Sequence, residues 1–383
     1  MPHRNEPRDI PRGFLAYTDH RAKTLAAIQH YSLELFAQWG YQRVYTPSLE
    51  YEDVVCRALS TATLADTYRI IDTNSGRVLL LRPDYTPGVA RAYAASAEQL
   101  GAFTRLCYSG PVFRAVDIHE GNQAENIQVG CEFIGCDSLV ADREILHLAM
   151  AAIQQILPEE PLHIVIGHGQ FIAGILQAFD IDTYSQQQIL QALHKKDIAE
   201  LQRAIDASGT QYSNRQVLLM LPELTGGIEV IARARTLVRN SLSLQSLDEL
   251  EAFVQQITCT GEVTIDLTEL SCLDYYTGCY FEIFSATRSL RLAGGGRYDS
   301  LLEKYACKLS AVGFAVYANA LVKCAVQKAT PLADTLVVSR SGDTMGAAAA
   351  VDALRREGKT AFWVPVDGTL YHRHLAVNLV EIA

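Results

Sequence analysis

Between Gln170 and about Thr258 the chain stops producing strand signals. Leu, Gln, Ala, Arg and Glu dominate this stretch, with helix breaks at Asp182, Gly209, Pro222 and Gly226-Gly227. On both sides the pattern is different: short apolar runs, many carrying β-branched or aromatic residues, alternate with Gly, Pro and Asn punctuation. A sheet built from those flanks has to be completed across a helical module. The expected fold is therefore α+β, an antiparallel-sheet core with a helical insertion over residues 170–258.

The flanks can be read element by element. Apolar residues at Leu25, Ile28, Leu35, Phe36 and Trp39 have helical spacing, stopped by Gly40. A strand from Tyr41 to Pro47 and a short helix near Glu52 to Leu59 follow. Arg69 to Asp72 and Arg77 to Leu81, parted by Asn74-Ser75-Gly76, form a predicted hairpin. A second, longer hairpin joins Arg105 to Arg114 and Ile127 to Gly135 across a polar loop. Helices are expected over Gly88 to Ser96 and Ala141 to Ile156, with a strand at His163 to Gly167. Beyond the insertion, strands are expected at Glu262 to Leu267, Gly278 to Phe284, Arg291 to Ala293 and Ala311 to Ala315. Gly294-Gly295-Gly296 reads as a turn, and Tyr317 to Lys328 as a helix. After Pro331 one β-α-β piece fits, which divides the chain into a core over 1–330 and a small α/β domain over 331–383.

Charge and composition exclude several functions. Asp and Glu number 43 against 33 Lys and Arg, a formal charge of −10, so nothing draws the whole chain to nucleic acid or an anionic membrane. The longest uncharged apolar run, Val312 to Val322, is well short of the roughly 20 residues of a spanning helix. The N-terminal residues are polar with no apolar core, so neither a signal peptide nor an anchor is expected there. The nine cysteines include no C-x-x-C pair and lie mostly in apolar runs, as reduced core thiols do. His372 and His374 form an H-x-H pair without nearby ligands, and no metal site is expected. The protein is expected to be cytoplasmic.

Some polar residues stand where apolar ones are the norm. Asp274, Tyr275 and Tyr276 lie at the entrance to a strand, either as a tyrosine-rich edge or as the lining of a polar pocket. Gln128 and Glu132 are four apart on a strand and share a face. That face is solvated, or it hydrogen-bonds something buried. The glycine run before Arg297-Tyr298-Asp299 suits a tight turn, a phosphate cradle or a close backbone approach.

Read in order, these motifs resemble the class II aminoacyl-tRNA synthetase core, in its histidyl-tRNA synthetase branch. They are Gly40-Tyr41…Pro47…Glu50, Leu81-Arg82-Pro83-Asp84-Tyr85-Thr86, Val112-Phe113-Arg114, Gln128…Glu132, Leu273-Asp274-Tyr275-Tyr276-Thr277-Gly278, Gly294-Gly295-Gly296-Arg297-Tyr298-Asp299 and Val312-Gly313-Phe314-Ala315. The resemblance spans roughly residues 10 to 325. It implies a dimer interface around Gly40 to Glu50 and a histidine site. In that site Asp84 and Thr86 would meet the ammonium, Glu132 and Tyr276 the imidazole, with Gln128, Arg114, Tyr275 and Tyr298 completing the pocket. Asp84 replaces the family's usual Glu.

The departures from the synthetase pattern concern catalysis. An Arg usually precedes the GLDYY stretch; here Ser271 and Cys272 stand in its place. The third-motif Arg aligns with Ala320, the adenine-reading acid with Val116 and a loop Arg with Asn122. Adenylate formation relies on fixed cations around the phosphoryl group, and each lost donor costs about 3 kcal/mol of barrier. The tail is also too short for the family's complete anticodon-binding domain. Retained histidine recognition without chemistry resembles the synthetase-like regulatory subunits of ATP phosphoribosyltransferase. That implies no catalytic residues and no cofactor of its own, histidine as effector, and a homodimeric building block joined to a separately encoded short catalytic subunit. The alternatives are an active histidyl-tRNA synthetase with an abbreviated tail, or a paralogue with another amino-acid-activating or tRNA-sensing role.

Overall fold

The computed structural model describes residues 10–59, 61–115, 123–257, 259, 261–268, 275–325, 333–339, 343–365 and 376–382. They fall into two compact units: one takes residues up to 16 and from 25 to 325, the other residues 17–24 with those beyond 325.

The first unit is organised by a nine-stranded sheet. Its spatial order is Gln42–Arg43, Thr104–Phe113, Glu125–Ile134, Ala311–Tyr317, Arg291–Arg297, Cys279–Ser285, Leu162–His168, Glu262–Asp266 and Thr225–Gly226. The centre is antiparallel as expected, but Gln42–Arg43 runs parallel to Thr104–Phe113 and Glu262–Asp266 parallel to Leu162–His168, so the sheet is mixed. Helices cover one face, among them Leu139–Ile156, Ser241–Val254 and, from residue 25 on, Asp19–Gln38. Leu139–Ile156 opens with the Ser138 side chain accepting from the Val140 N–H, and buries Ile145, Leu146, Leu148 and Ile153. Each such side chain contributes about 1.5–3 kcal/mol. Asp19–Gln38 sets Phe36 edge-on against Phe314, centroids 5.6 Å apart. A separate three-stranded sheet has Val78–Leu81 between Leu49–Tyr51 and Arg69–Ile71.

The insertion is helical, in six segments from Phe171–Ala178 to Ser241–Val254. The predicted breaks have structural causes. Asp182 caps the Tyr184 and Ser185 N–H groups, Gly209 takes φ +65°, and Pro222 sits in a 3-10 turn. One expectation fails here: Thr225–Gly226 is a strand, too short to show a period, on the edge of the large sheet beside Glu262–Asp266.

The glycine run is also not a turn. Gly294, Gly295 and Gly296 lie inside the strand Arg291–Arg297. A Cβ on Gly295 would fall 2.4 Å from the Gly313 carbonyl oxygen, and one on Gly296 2.6 Å from the Tyr280 Cβ. The run serves close packing.

The second unit contains a parallel three-stranded sheet, Ala361–Pro365, Ala333–Ser339, Ala376–Ile382, and the helix Thr344–Arg356 capped by Asp343. The third strand goes beyond the expected β-α-β piece. It is an edge strand, with Asn378, Val380 and Glu381 exposed, so it lacks a continuous apolar pattern.

Candidate functional site

Strand register assembles a depression on the sheet face opposite the covering helices. One row of directly paired residues runs Tyr108, Gly130, Ala315, Gly294, Glu282; the next runs Leu106, Glu132, Gly313, Gly296, Tyr280. Direct partners share a face, so the small residues in the middle leave a floor without side chains. A recess over this floor is lined by Asp84, Thr86, Arg114, Gln128, Tyr275, Tyr276 and Tyr298, all of them expected site residues, together with Tyr317.

Glu132, the remaining expected residue, lies beneath. It is fully buried and accepts hydrogen bonds from Thr86 Oγ1 (2.8 Å), the Tyr108 hydroxyl (3.2 Å) and the Tyr298 hydroxyl. Burial pushes its carboxyl up to about 8, and the three hydroxyls only partly offset that push. At neutral pH it is mostly a neutral acid that can donate or accept.

Asp84 is 4% exposed. It accepts from the Tyr275 hydroxyl at 2.7 Å and the Tyr85 N–H at 2.8 Å; that N–H also approaches Gln128 Oε1 at 3.3 Å. Gln128 and Glu132 therefore face a buried hydrogen-bond network, not solvent. Thr86, expected beside Asp84, turns its hydroxyl to Glu132 instead, since its place at the start of the helix Thr86–Ala95 aims it there. Tyr276 packs edge-on to Tyr275 and stacks with Tyr280. Arg114 Nε donates to the Pro83 carbonyl.

Arg82, Tyr85 and Tyr108 also take part, although none of them is an expected site residue. Arg82 donates to the carbonyls of Pro111 (2.7 Å) and Thr46 (2.9 Å) and lies 3.8 Å over the Tyr85 ring. Tyr85 in turn stacks on Tyr108 at 4.3 Å, and Tyr108 reaches Glu132. This cation–aromatic stack holds the Tyr108 hydroxyl under the recess. The signal that could have found Tyr108 is its position opposite Gly130, visible only once the hairpin register is known.

Val116, Asn122, Ser271, Cys272, Leu273, Asp274, His372 and His374 lie outside the described residues. Ala320 is half-buried in the helix Ala318–Cys324, beside Asn319, whose side chain accepts from the Ile127 N–H at 2.7 Å. Among the described residues no group of three or more His, Cys, Asp or Glu could hold a metal, and no helix is long and apolar enough to cross a membrane. What the recess offers is a carboxylate, a neutral acid, a guanidinium and several phenols. That set suits a small polar molecule bearing an amine.

Comparison with known proteins agrees with the motif order. The histidyl-tRNA synthetase family profile matches residues 13–321. Proteins described as ATP phosphoribosyltransferase regulatory subunits align along most of the chain. The one from Geobacter sulfurreducens is 31% identical over 358 residues, covering 92% of this chain and 82% of that protein. The one from Anaeromyxobacter dehalogenans is 36% identical over 312 residues, 80% and 88% of the respective lengths. The chain belongs to the family of ATP phosphoribosyltransferase regulatory subunits. Its fold is shared with a solved structure described as an ATP phosphoribosyltransferase regulatory subunit/histidyl-tRNA synthetase from Bacillus halodurans, TM-score 0.86 at 24% identity, with 99% of each chain covered. A histidyl-tRNA synthetase from Nostoc sp. superposes at TM-score 0.75 and 17% identity, covering 94% of this chain and 86% of that one. These regulatory subunits thus carry the class II synthetase fold, and the recess occupies its central sheet.

Proposed function

We propose that this chain regulates a separately encoded ATP phosphoribosyltransferase catalytic subunit in the cytoplasm, activating it and lowering its output when histidine fills the recess. The observation that carries the histidine reading is the polar network in a closed part of the sheet, with Asp84 and Glu132 both buried and held by phenols. A bound ammonium would pair with Asp84, and an imidazole N–H would find acceptors among Glu132, Gln128 and Tyr276. An analogue lacking those donors leaves buried acceptors unmatched, and this sets selectivity. Regulation then requires only that histidine favour one state of the complex by about 1–3 kcal/mol.

The chain itself is proposed to carry out no aminoacylation, because Ala320 and Ser271 stand where the synthetase pattern has cations. A homodimer built around residues 40–50 is the proposed unit of assembly.

The test uses both purified proteins together. Mixed at micromolar concentration they should sediment as a species heavier than either alone. Tyr276→Phe and Glu132→Gln should relax histidine inhibition of the complex while activation persists. Inhibition unchanged in both variants would place the histidine sensor elsewhere.

A further inference from the structure

The strand Arg291–Arg297 meets Cys279–Ser285 with an irregularity. Glu282 pairs with Gly294 and Ile283 with Ala293, but Phe284 pairs with Arg291, so Leu292 is an extra residue in a bulge. In a regular ladder Leu292 would face Phe284, and Arg291 would point to the helix-covered side. The bulge turns Arg291 onto the face of Glu282 and Gly294, while Leu292 becomes fully buried.

On that face Arg291 is held next to the recess. Its guanidinium lies 2.6 Å from Glu282 Oε1, and Glu282 is 6% exposed. It also lies 5.2 Å from the centroid of the Tyr317 ring. A Cβ on Gly294 would come within 2.6 Å of the guanidinium and 3.4 Å of the Tyr317 hydroxyl. The missing side chain at Gly294 is therefore the space that Arg291 uses, and Gly294 and Tyr317 both line the recess. Burial pushes the Tyr276 and Tyr317 phenols up, and the Arg291 charge works against that push on both, so its field extends to the lining.

We propose that Arg291 reads the carboxylate of the amino acid bound in the recess, which makes it a specificity residue for the whole zwitterion and not for the side chain alone. The inference rests on the histidine reading above. With Asp84 for the ammonium and Arg291 for the carboxylate, the recess has a charge of each sign for the two charged groups of a free α-amino acid. A guanidinium can serve two carboxylates through its two edges, so the pair with Glu282 orients it without cancelling this role. If its purpose were only to hold the hairpin, an apolar pair would serve at least as well at a site where Glu282 is desolvated.

Calorimetric titration of the full chain with L-histidine and with L-histidinol, which has an alcohol in place of the carboxylate, separates the possibilities. The wild type should prefer histidine. Arg291→Gln should weaken histidine by about ten- to hundredfold and leave histidinol unchanged. Glu282→Gln, which removes the competing carboxylate, should widen the preference for histidine, and it supplies a second reading should Arg291→Gln not fold. Equal loss of both ligands in Arg291→Gln, no loss of either, or an unchanged preference in Glu282→Gln overturns the role of Arg291. Equal wild-type affinity for the two ligands also overturns it, with histidine binding intact. Failure of the wild type to bind histidine at all overturns the histidine reading and this inference with it.

Discussion

Gly313 sits directly opposite Glu132 in the central antiparallel pairing, and a Cβ on Gly313 would lie 1.7 Å from Glu132 Oε2. The buried carboxyl thus fills the volume that any other residue at 313 would need. Gly313→Ala has to displace that carboxyl and also crowds the Cys131 carbonyl oxygen, 2.7 Å from the same point. Overpacking of this kind costs about 1–3 kcal/mol. Urea denaturation should show that loss, and calorimetric titration should show the proposed histidine binding weakened with it. Gly88→Ala, whose Cβ would meet only Thr46 side-chain atoms at 3.4 Å and beyond, is the control and should stay within about 1 kcal/mol of the wild type.

The Glu132 carboxyl also makes stability depend on pH. Its value rises from 4.5 to about 8 on folding because the charged form is buried. Between those values the folded state binds more protons than the unfolded one, so this group's contribution declines as pH rises. The decline is on the order of 4–5 kcal/mol across the window, at about 1.4 kcal/mol per pH unit. Denaturation midpoints at pH 5.5 and 8.5 should converge for Glu132→Gln relative to the wild type. Parallel pH dependence in the two proteins would refute the assignment.

Arg297 is joined to the helix beneath the sheet by a buried ion pair. Its Nε lies 3.1 Å from Asp142 Oδ1, a second nitrogen contacts Asp142 Oδ2, and Nη1 donates to the Cys136 carbonyl at 3.0 Å. Both side chains are nearly inaccessible, at 9% and 3% exposure. Removing one partner strands the other charge, so Arg297→Ala should cost about 3–5 kcal/mol. The double variant Arg297→Met, Asp142→Leu should recover much of that loss in thermal unfolding.

Histidine-dependent exchange of pyrophosphate into ATP tests the proposed loss of chemistry. With Ala320 and Ser271 in place of two cations, and about 3 kcal/mol of barrier for each, the isolated protein should show no exchange above background. Exchange at a synthetase-like rate would restore the enzyme alternative.

Much of this was legible from the residues alone. The loss of strand signal from Gln170 to Thr258 marked the insertion, and Asp182 and Gly209 marked its breaks, because caps and positive φ are local requirements carried by local residue types. The ordered motifs placed Asp84, Gln128, Tyr275 and Tyr298 at one site by resemblance. What remained hidden depends on register. Spacing left Gln128 and Glu132 open to either a solvated or a buried face, and only pairing with Ala311–Tyr317 encloses them. The glycine run could not be distinguished from a turn, since glycine serves both, until Phe281, Tyr280 and Arg291 were seen occupying the space a Cβ would take. Tyr108 and Arg291 join the network through a cross-strand pairing and a one-residue bulge. Sequence determines propensity and pattern within a segment. Which distant segments lie side by side, and on which face each side chain then falls, is decided only when the sheet closes, because shifting the register by one residue exchanges its two faces.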